Sequence, residues 1–410
     1  MTRLCPFLLL FAPLFSLSAQ TAGRLDTTTF VVVGEGLAAG MANYGLSREV
    51  QEWSFPAQMA RQFNTIFPQP LIQGPGLEAM FGLDLPVARI PTYPQNTVRV
   101  FPFNPKKKKD EVDGPSLFVF NLSMPNWRLT DSLTRRPNRP LIQSSNPQQT
   151  SVNMILGFPS LILENEVPLW TQFEYAQAMN PTLALVELGY FEALEAAAAA
   201  NPTLIPTATA FRANYSTVVK GLRALYSQVL VTTIPDPVST AYFTSPASAA
   251  RLLQIEPAVL TEKFGVRSDD FITRLGLYNI GNQLLAGRAI PLPPRSILTA
   301  AVAADIRSRV GSLNTAIGEV GRENGALVYD LNRFFTAVRD SGMNAAGRQL
   351  TADYLGGFYS LDGVYPSITG HALIANDMLR FLNSSFGQSF RLVDLAPLVA
   401  RDPALATKVP

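Results

Sequence analysis

Five short apolar runs, separated by stretches with helical spacing, set the fold class of this 410-residue chain. The first is Phe30-Val-Val-Val-Gly34, rich in β-branched residues and broken abruptly, with Gly36 and Gly40 close behind. The others are Leu117–Asn121, Leu183–Leu188, Val229–Ile234 and Ala326–Asp330. Runs this short and this apolar suit strands buried on both faces. Between them the sequence predicts helices. One follows the cap Ser54 and runs to about Phe63, and another spans Pro168 to Met179, with Pro168 at its first position. Thr209–Tyr226 places Phe211, Tyr215, Val218, Leu222 and Leu225 on one face, and the Ala196–Ala200 run continues a helix. A long amphipathic helix opens at the cap Ser296, carries Leu298, Val302, Ile306, Val310, Leu313, Ile317 and Val320, and stops at Gly325. The last clear helix is Ala372–Leu382. Such alternation predicts a parallel sheet covered by helices on both faces, joined by right-handed crossovers.

Two stretches do not fit the alternation. Residues 67–116 are rich in proline and glycine, and residues 244–295 mix short elements, so both read as long insertions outside the core. Pro137–Pro159 reads as loop, and the tail from Phe386 carries no clear period. Residues 1–19 have the build of a secretory signal: Arg3 at the start, an apolar Phe7–Phe15 segment, and Ser16-Leu-Ser-Ala19 for cleavage. The remainder, 20–410, reads as a single domain located outside the cytoplasm, whether periplasmic, outer-membrane-associated or secreted. No later run approaches the ~20 apolar residues of a membrane span, so none is expected after signal removal.

Composition removes several kinds of chemistry. The only cysteine, Cys5, lies in the signal, which leaves no disulfide, thiol nucleophile or thiolate metal site in the mature chain. His371 is the only histidine, against a histidine-rich zinc centre, and no metal or other cofactor is expected. A net charge of +2 gives no electrostatic reason to expect nucleic acid. The one charge run, Lys106–Lys109, is followed at once by Asp110, Glu111 and Asp113 and reads as a solvated loop.

Three segments carry a resemblance. The most specific is Tyr359-Ser-Leu-Asp-Gly-Val-Tyr-Pro-Ser-Ile-Thr-Gly-His371. With it go Asn121-Leu-Ser-Met-Pro-Asn126 and Leu188-Gly-Tyr-Phe-Glu-Ala-Leu194, beside the Gly34-Glu35-Gly36 turn and Thr233-Ile-Pro-Asp236. In order and spacing these resemble the blocks of the SGNH, or GDSL, hydrolases over most of the mature length. The resemblance implies a three-layer α/β/α sandwich with a parallel, flavodoxin-like sheet of about five strands, and ester hydrolysis by serine and histidine with an oxyanion hole.

The chain departs from that family at all four name-giving positions. The resemblance puts the serine at Gly36, the second-block glycine at Asn126, the asparagine at Phe191 and the histidine at Tyr365, while the aspartate is kept as Asp362. Gly36 has no side chain to attack with, Phe191 offers no donor, and Tyr365 is a poor base near neutral pH. Glu35, Gly36, Asn126, Tyr190, Phe191, Asp362, Tyr365 and His371 are therefore the expected lining of the cleft. The leading expectation is an exported, catalytically degenerate homologue that binds a lipid, an acylated carbohydrate or an envelope protein. The alternative is an active hydrolase with a relocated site, using His371 as base and Ser47, Ser123 or Ser367 as nucleophile. Two further readings are a carboxylate pair, Glu35 with Asp362, of the kind glycosidases use, and a purely structural envelope component.

Overall fold

The computed structural model describes residues 24–72, 118–138, 146–157 and 169–406. The expected signal at 1–19, the lysine run and most of the 67–116 insertion lie outside these residues. The described strands are β1 (Phe30–Gly34), β2 (Leu183–Glu187), β3 (Gln228–Thr232), β4 (Phe243–Thr244), β5 (Phe271–Thr273), β6 (Ile297–Leu298), β7 (Leu327–Tyr329), β8 (Met343–Ala345) and β9 (Arg348–Leu350). The protein is mixed α/β, and its main sheet is parallel, with four strands in the order β1-β2-β3-β7.

Every residue of β1 and β2 is buried, which is why their sequences are continuous apolar runs rather than alternating ones. The register keeps the strand ends level. Phe30 pairs with Leu183 and Gly34 with Glu187, while Val186 pairs with Val231. The polar residues Glu187 and Thr232 thus fall at the carboxyl edge, where an open α/β sheet presents its chemistry. Helix Ala208–Arg223 buries Phe211, Tyr215, Val218 and Leu222, the face its spacing predicts, and packs along helix Ala300–Glu323. Helix Phe55–Phe63, capped by Ser54 through the Ala57 N–H, packs against helix Ile368–Phe386.

Several local expectations are corrected. Leu117 lies outside the described residues, and the segment after it is not a full strand. The Val32 N–H donates to the Phe120 carbonyl at 2.8 Å and the Leu122 N–H to the Val32 carbonyl at 3.0 Å, and a single bridge joins Asn121 to Val32. The contact continues past Asn121, where the Met124 N–H donates to the Gly34 carbonyl at 3.3 Å, while the Asn121 side chain bonds the Ala38 carbonyl. The 137–159 stretch contains helix Pro147–Ile155, capped by Asn146; Pro147 sits where a missing N–H costs little. The helix expected from Pro168 starts at Gln172, where Thr171 and Glu174 form a reciprocal capping box. Helix Leu331–Ser341, capped by Asp330, and the β8–β9 hairpin stand where no element was expected. The last long helix begins at Ile368, with Ser367 as its cap, and ends at Phe386.

The cap of the 24-residue helix is Thr299, whose hydroxyl accepts the Val302 N–H, and Leu298 belongs to β6 rather than to the helix. The Ser296 hydroxyl is buried without a hydrogen-bond partner. Thr299→Ala is therefore expected to cost about 1 kcal/mol and Ser296→Ala nothing. Urea midpoints of the two variants check this, and equal losses would contradict the assignment.

The 244–295 insertion does consist of short elements: helices Pro246–Leu253, Pro257–Phe264 and Arg274–Leu285 around the antiparallel β4-β5-β6 sheet. Behind the main sheet, the tail folds back on helix Ile368–Phe386. Asn376 exchanges two hydrogen bonds with the backbone of Val393, and Asn383 does the same with Phe390. The Thr369 N–H donates to the Asp402 carboxyl at 2.8 Å.

Candidate functional site

The turn after β1 is held by carboxyl groups. Glu35 caps the short helix Gly36–Ala39, its Oε1 accepting the Leu37 N–H at 2.6 Å. Glu187, at the end of β2, reaches across and accepts the N–H groups of Glu35 and Ala38 at 3.3 and 3.2 Å. Gly36 then faces Tyr365. A Cβ built on Gly36 would lie 2.6 Å from Tyr365 Oη and 2.7 Å from Met41 Sδ. The Tyr365 hydroxyl donates to Glu35 Oε2 at 3.2 Å, and its ring meets Tyr190 edge to face at 6.3 Å. The Tyr190 hydroxyl donates to the Val364 carbonyl at 3.4 Å.

Asp362 closes the far side of this cluster. Its Oδ1 accepts the N–H groups of Val364 and Tyr365 at 2.7 and 2.9 Å, and its Oδ2 accepts that of Tyr44 at 3.3 Å. The carboxyl is thereby committed to shaping the loop before helix Ile368–Phe386. Glu35, Gly36, Tyr190, Asp362 and Tyr365 thus converge at the carboxyl edge of the sheet. They are packed together and buried, however, and do not line an open cleft.

The other named positions lie around this cluster. Phe191 is buried, with the Arg128 guanidinium 5.5 Å from its ring centre. Asn126 is half-buried, has a left-handed backbone (φ 55°), and gives its carbonyl to Gln148. Its side-chain oxygen is buried without a hydrogen-bond partner. His371 stacks on Phe55, 6.1 Å between ring centres, with the Met41 backbone beside its ring. Burial drives its pKa down to about 3, against a smaller opposing effect of the Met41 backbone, so it stays neutral at physiological pH. Of the serines, Ser367 is used as a helix cap and donates to the Gly357 carbonyl. Ser123 is buried beside Gly34 with an unpartnered hydroxyl, and Ser47 precedes the short helix Arg48–Gln51.

The electrostatics arise from burial. Desolvation raises Glu35 to about 8, only partly offset by the N–H groups of Leu37 and Gly36 and by the Tyr365 hydroxyl. Desolvation, then the neighbouring Glu35, holds Glu187 well above the usual carboxylate range. Desolvation also raises Glu192 to about 7, although the Leu129 N–H donates to it at 2.8 Å. Asp362 is raised by burial against three backbone N–H donors, and Tyr365 and Tyr190 are pushed further from ionisation by burial. Near neutral pH Glu35 therefore keeps its proton, Glu187 is favoured in its protonated form, and Tyr365 and Tyr190 stay as phenols. The cluster contains neither an aligned nucleophile nor a free base.

Sequence reasoning missed two of these carboxyls. Glu187 reads as the polar end of a strand and Glu192 as part of a helix start. A signal was present: both lie within five residues of a glycine turn at the carboxyl edge, where buried acids collect. Among the described residues no group of three or more His, Cys, Asp or Glu is arranged to hold a metal, and no helix is long and apolar enough to cross a membrane. No protein-family model matches the chain, and no curated protein matches it.

Proposed function

We propose that this chain is an exported, catalytically inert relative of the SGNH hydrolases that acts by binding a lipid, an acylated carbohydrate or an envelope partner. One observation carries the reading. The positions that the resemblance equates with nucleophile and base, Gly36 and Tyr365, are direct neighbours, and the space a serine Cβ would need is taken by the Tyr365 hydroxyl. Neighbouring placement supports common descent of the site, and the filled space supports loss of its chemistry.

The strand arrangement supports the finer fold proposal, a flavodoxin-like α/β/α sandwich. The segment bridged to Val32 adds a fifth extended stretch on the free edge of β1. In chain order the stretches then lie 2-1-3-4-5, the doubly wound arrangement. Because the rim above Gly36 is closed by Tyr190 and Tyr365, we assign binding to the two long insertions, 67–116 and 244–295, rather than to the former cleft.

Relocated hydrolysis lacks a competent base, since His371 is buried in a stack on Phe55 and burial drives its pKa down to about 3, which makes it a weak proton acceptor. A glycosidase pair is equally disfavoured, because Asp362 and Glu35 spend their oxygens on backbone N–H groups and Tyr365 inside a closed core. The purified mature protein, given short- and medium-chain aryl esters, is expected to show no turnover above background. A robust rate abolished by a serine-directed phosphonate would overturn the proposal.

A further inference from the structure

Arg274 opens helix Arg274–Leu285, in the insertion, and its side chain is 1% exposed. One guanidinium nitrogen, Nη2, donates to the Tyr44 hydroxyl at 3.1 Å, and the group lies over the Tyr354 ring at 3.6 Å from its centre. Nε and Nη1, three N–H groups between them, have no acceptor. Among the described residues no carboxylate pairs with Arg274. The nearby Asp362 spends its oxygens on the N–H groups of Val364, Tyr365 and Tyr44.

A buried cation with unmatched donors is costly, and a stacked ring and one phenol recover only part of that cost. The backbone is also held under strain to present the phenol: Asn43 and Tyr44 have φ of 53° and 71°, in the left-handed region that a bulky tyrosine avoids. The Asn43 side chain and the Ser360 hydroxyl fix that turn from both directions. Tyr354 also lines a cavity of about 250 Å³ with Ser248, Arg251, Leu252, Thr351 and Asp353. Arg251, which is largely exposed and reaches Asp353 at 3.5 Å, lines that cavity, whereas Arg274 meets it through the Tyr354 ring.

We propose that Arg274 is the anchor of a site for a small oxyanion, a carboxylate or phosphate group, reached from the cavity that Tyr354 lines. A planar guanidinium offers two parallel forks. Whichever Nη2 proton the Tyr44 hydroxyl takes, one fork remains for two oxygens of the same acid group. Neutralising the charge and filling the donors with one ligand removes both costs together. The site adjoins the Gly36–Tyr365 cluster through Tyr44 and Asp362, and stands whether or not that cluster is inert.

The test titrates the mature protein with inorganic phosphate and with acetate, against chloride at matched ionic strength, following Tm. Wild type is expected to gain Tm saturably with at least one oxyanion and not with chloride. Arg274→Met, an apolar side chain of similar length, is expected to fold and lose the response. Arg274→Lys keeps the charge without the fork and is expected to respond with at least ~tenfold weaker apparent affinity. The proposal is overturned if wild type gains nothing over chloride, or if Arg274→Lys responds as wild type does. It is also overturned if Arg274→Met folds and keeps the response.

Discussion

Raising the pH from about 6.5 to 8 is expected to lower the thermal stability of this protein steeply, at up to about 1.4 kcal/mol per pH unit for each buried acid involved. Glu35 keeps its proton in the folded state until about 8, and Glu192 until about 7, whereas an unfolded glutamate releases it near 4.5. Between those values the unfolded chain binds fewer protons than the folded one. Stability is therefore fully present below the unfolded pKa and is lost as pH rises through the folded one. His371 works in the opposite sense, since its folded pKa is depressed from 6.5 to about 3 and its contribution disappears as pH falls through that interval. The two effects oppose each other below pH 6.5, which puts the steep part of the curve above it. Glu35→Gln keeps an acceptor for the Leu37 N–H and removes the titration. Its Tm is expected to exceed that of wild type by an amount that grows with pH. Melting curves at fixed ionic strength decide the matter, and parallel curves for the two proteins across that range would refute the assignment.

Gly36→Ser is expected to destabilise the fold by about 1–3 kcal/mol and to yield no esterase. The new Cβ would sit 2.6 Å from the Tyr365 hydroxyl, and although Met41 has a flexible end that can give way, the tyrosine ring is pinned between Glu35 and Tyr190. Pairing it with Tyr365→His shortens the obstructing ring. The double variant is expected to cost less than the sum of the singles, by about 1 kcal/mol or more, as contacting residues do. Denaturant unfolding of the four proteins gives the coupling directly. Additive losses would mean that the two positions are not packed against each other.

What the sequence made readable was whatever depends on continuous burial. Strands β1, β2 and β3 are uninterrupted apolar runs, and helix Ala208–Arg223 repeats its buried face with an unambiguous period. Elements that rest on caps rather than on apolar content were harder to see. Helix Pro147–Ile155 hides behind a proline that looks like a breaker, and helix Leu331–Ser341 hides behind an Asp330 that looks like a strand end. The Leu117–Asn121 run was placed too early: the stretch beside β1 extends past Asn121, with the Leu122 and Met124 N–H groups on the Val32 and Gly34 carbonyls, and only one bridge forms. The Gly36, Tyr365 and Asp362 positions were legible from motif order. Their closure was not, because the filling is done by ring volumes and by Met41, which no spacing reveals. Arg274 was invisible for a similar reason, since an arginine in an insertion reads as a surface residue until its partners are known.

The return of the tail along helix Ile368–Phe386 has a consequence for biosynthesis. Asn376, Asn383 and Thr369 find these partners in Val393, Phe390 and Asp402, which are made only after the helix itself. A nascent chain halted at Gly387 holds a helix with a wet, unsatisfied seam, which quality-control proteases are built to recognise. The helix is clasped shut only once the stretch that follows it has been made.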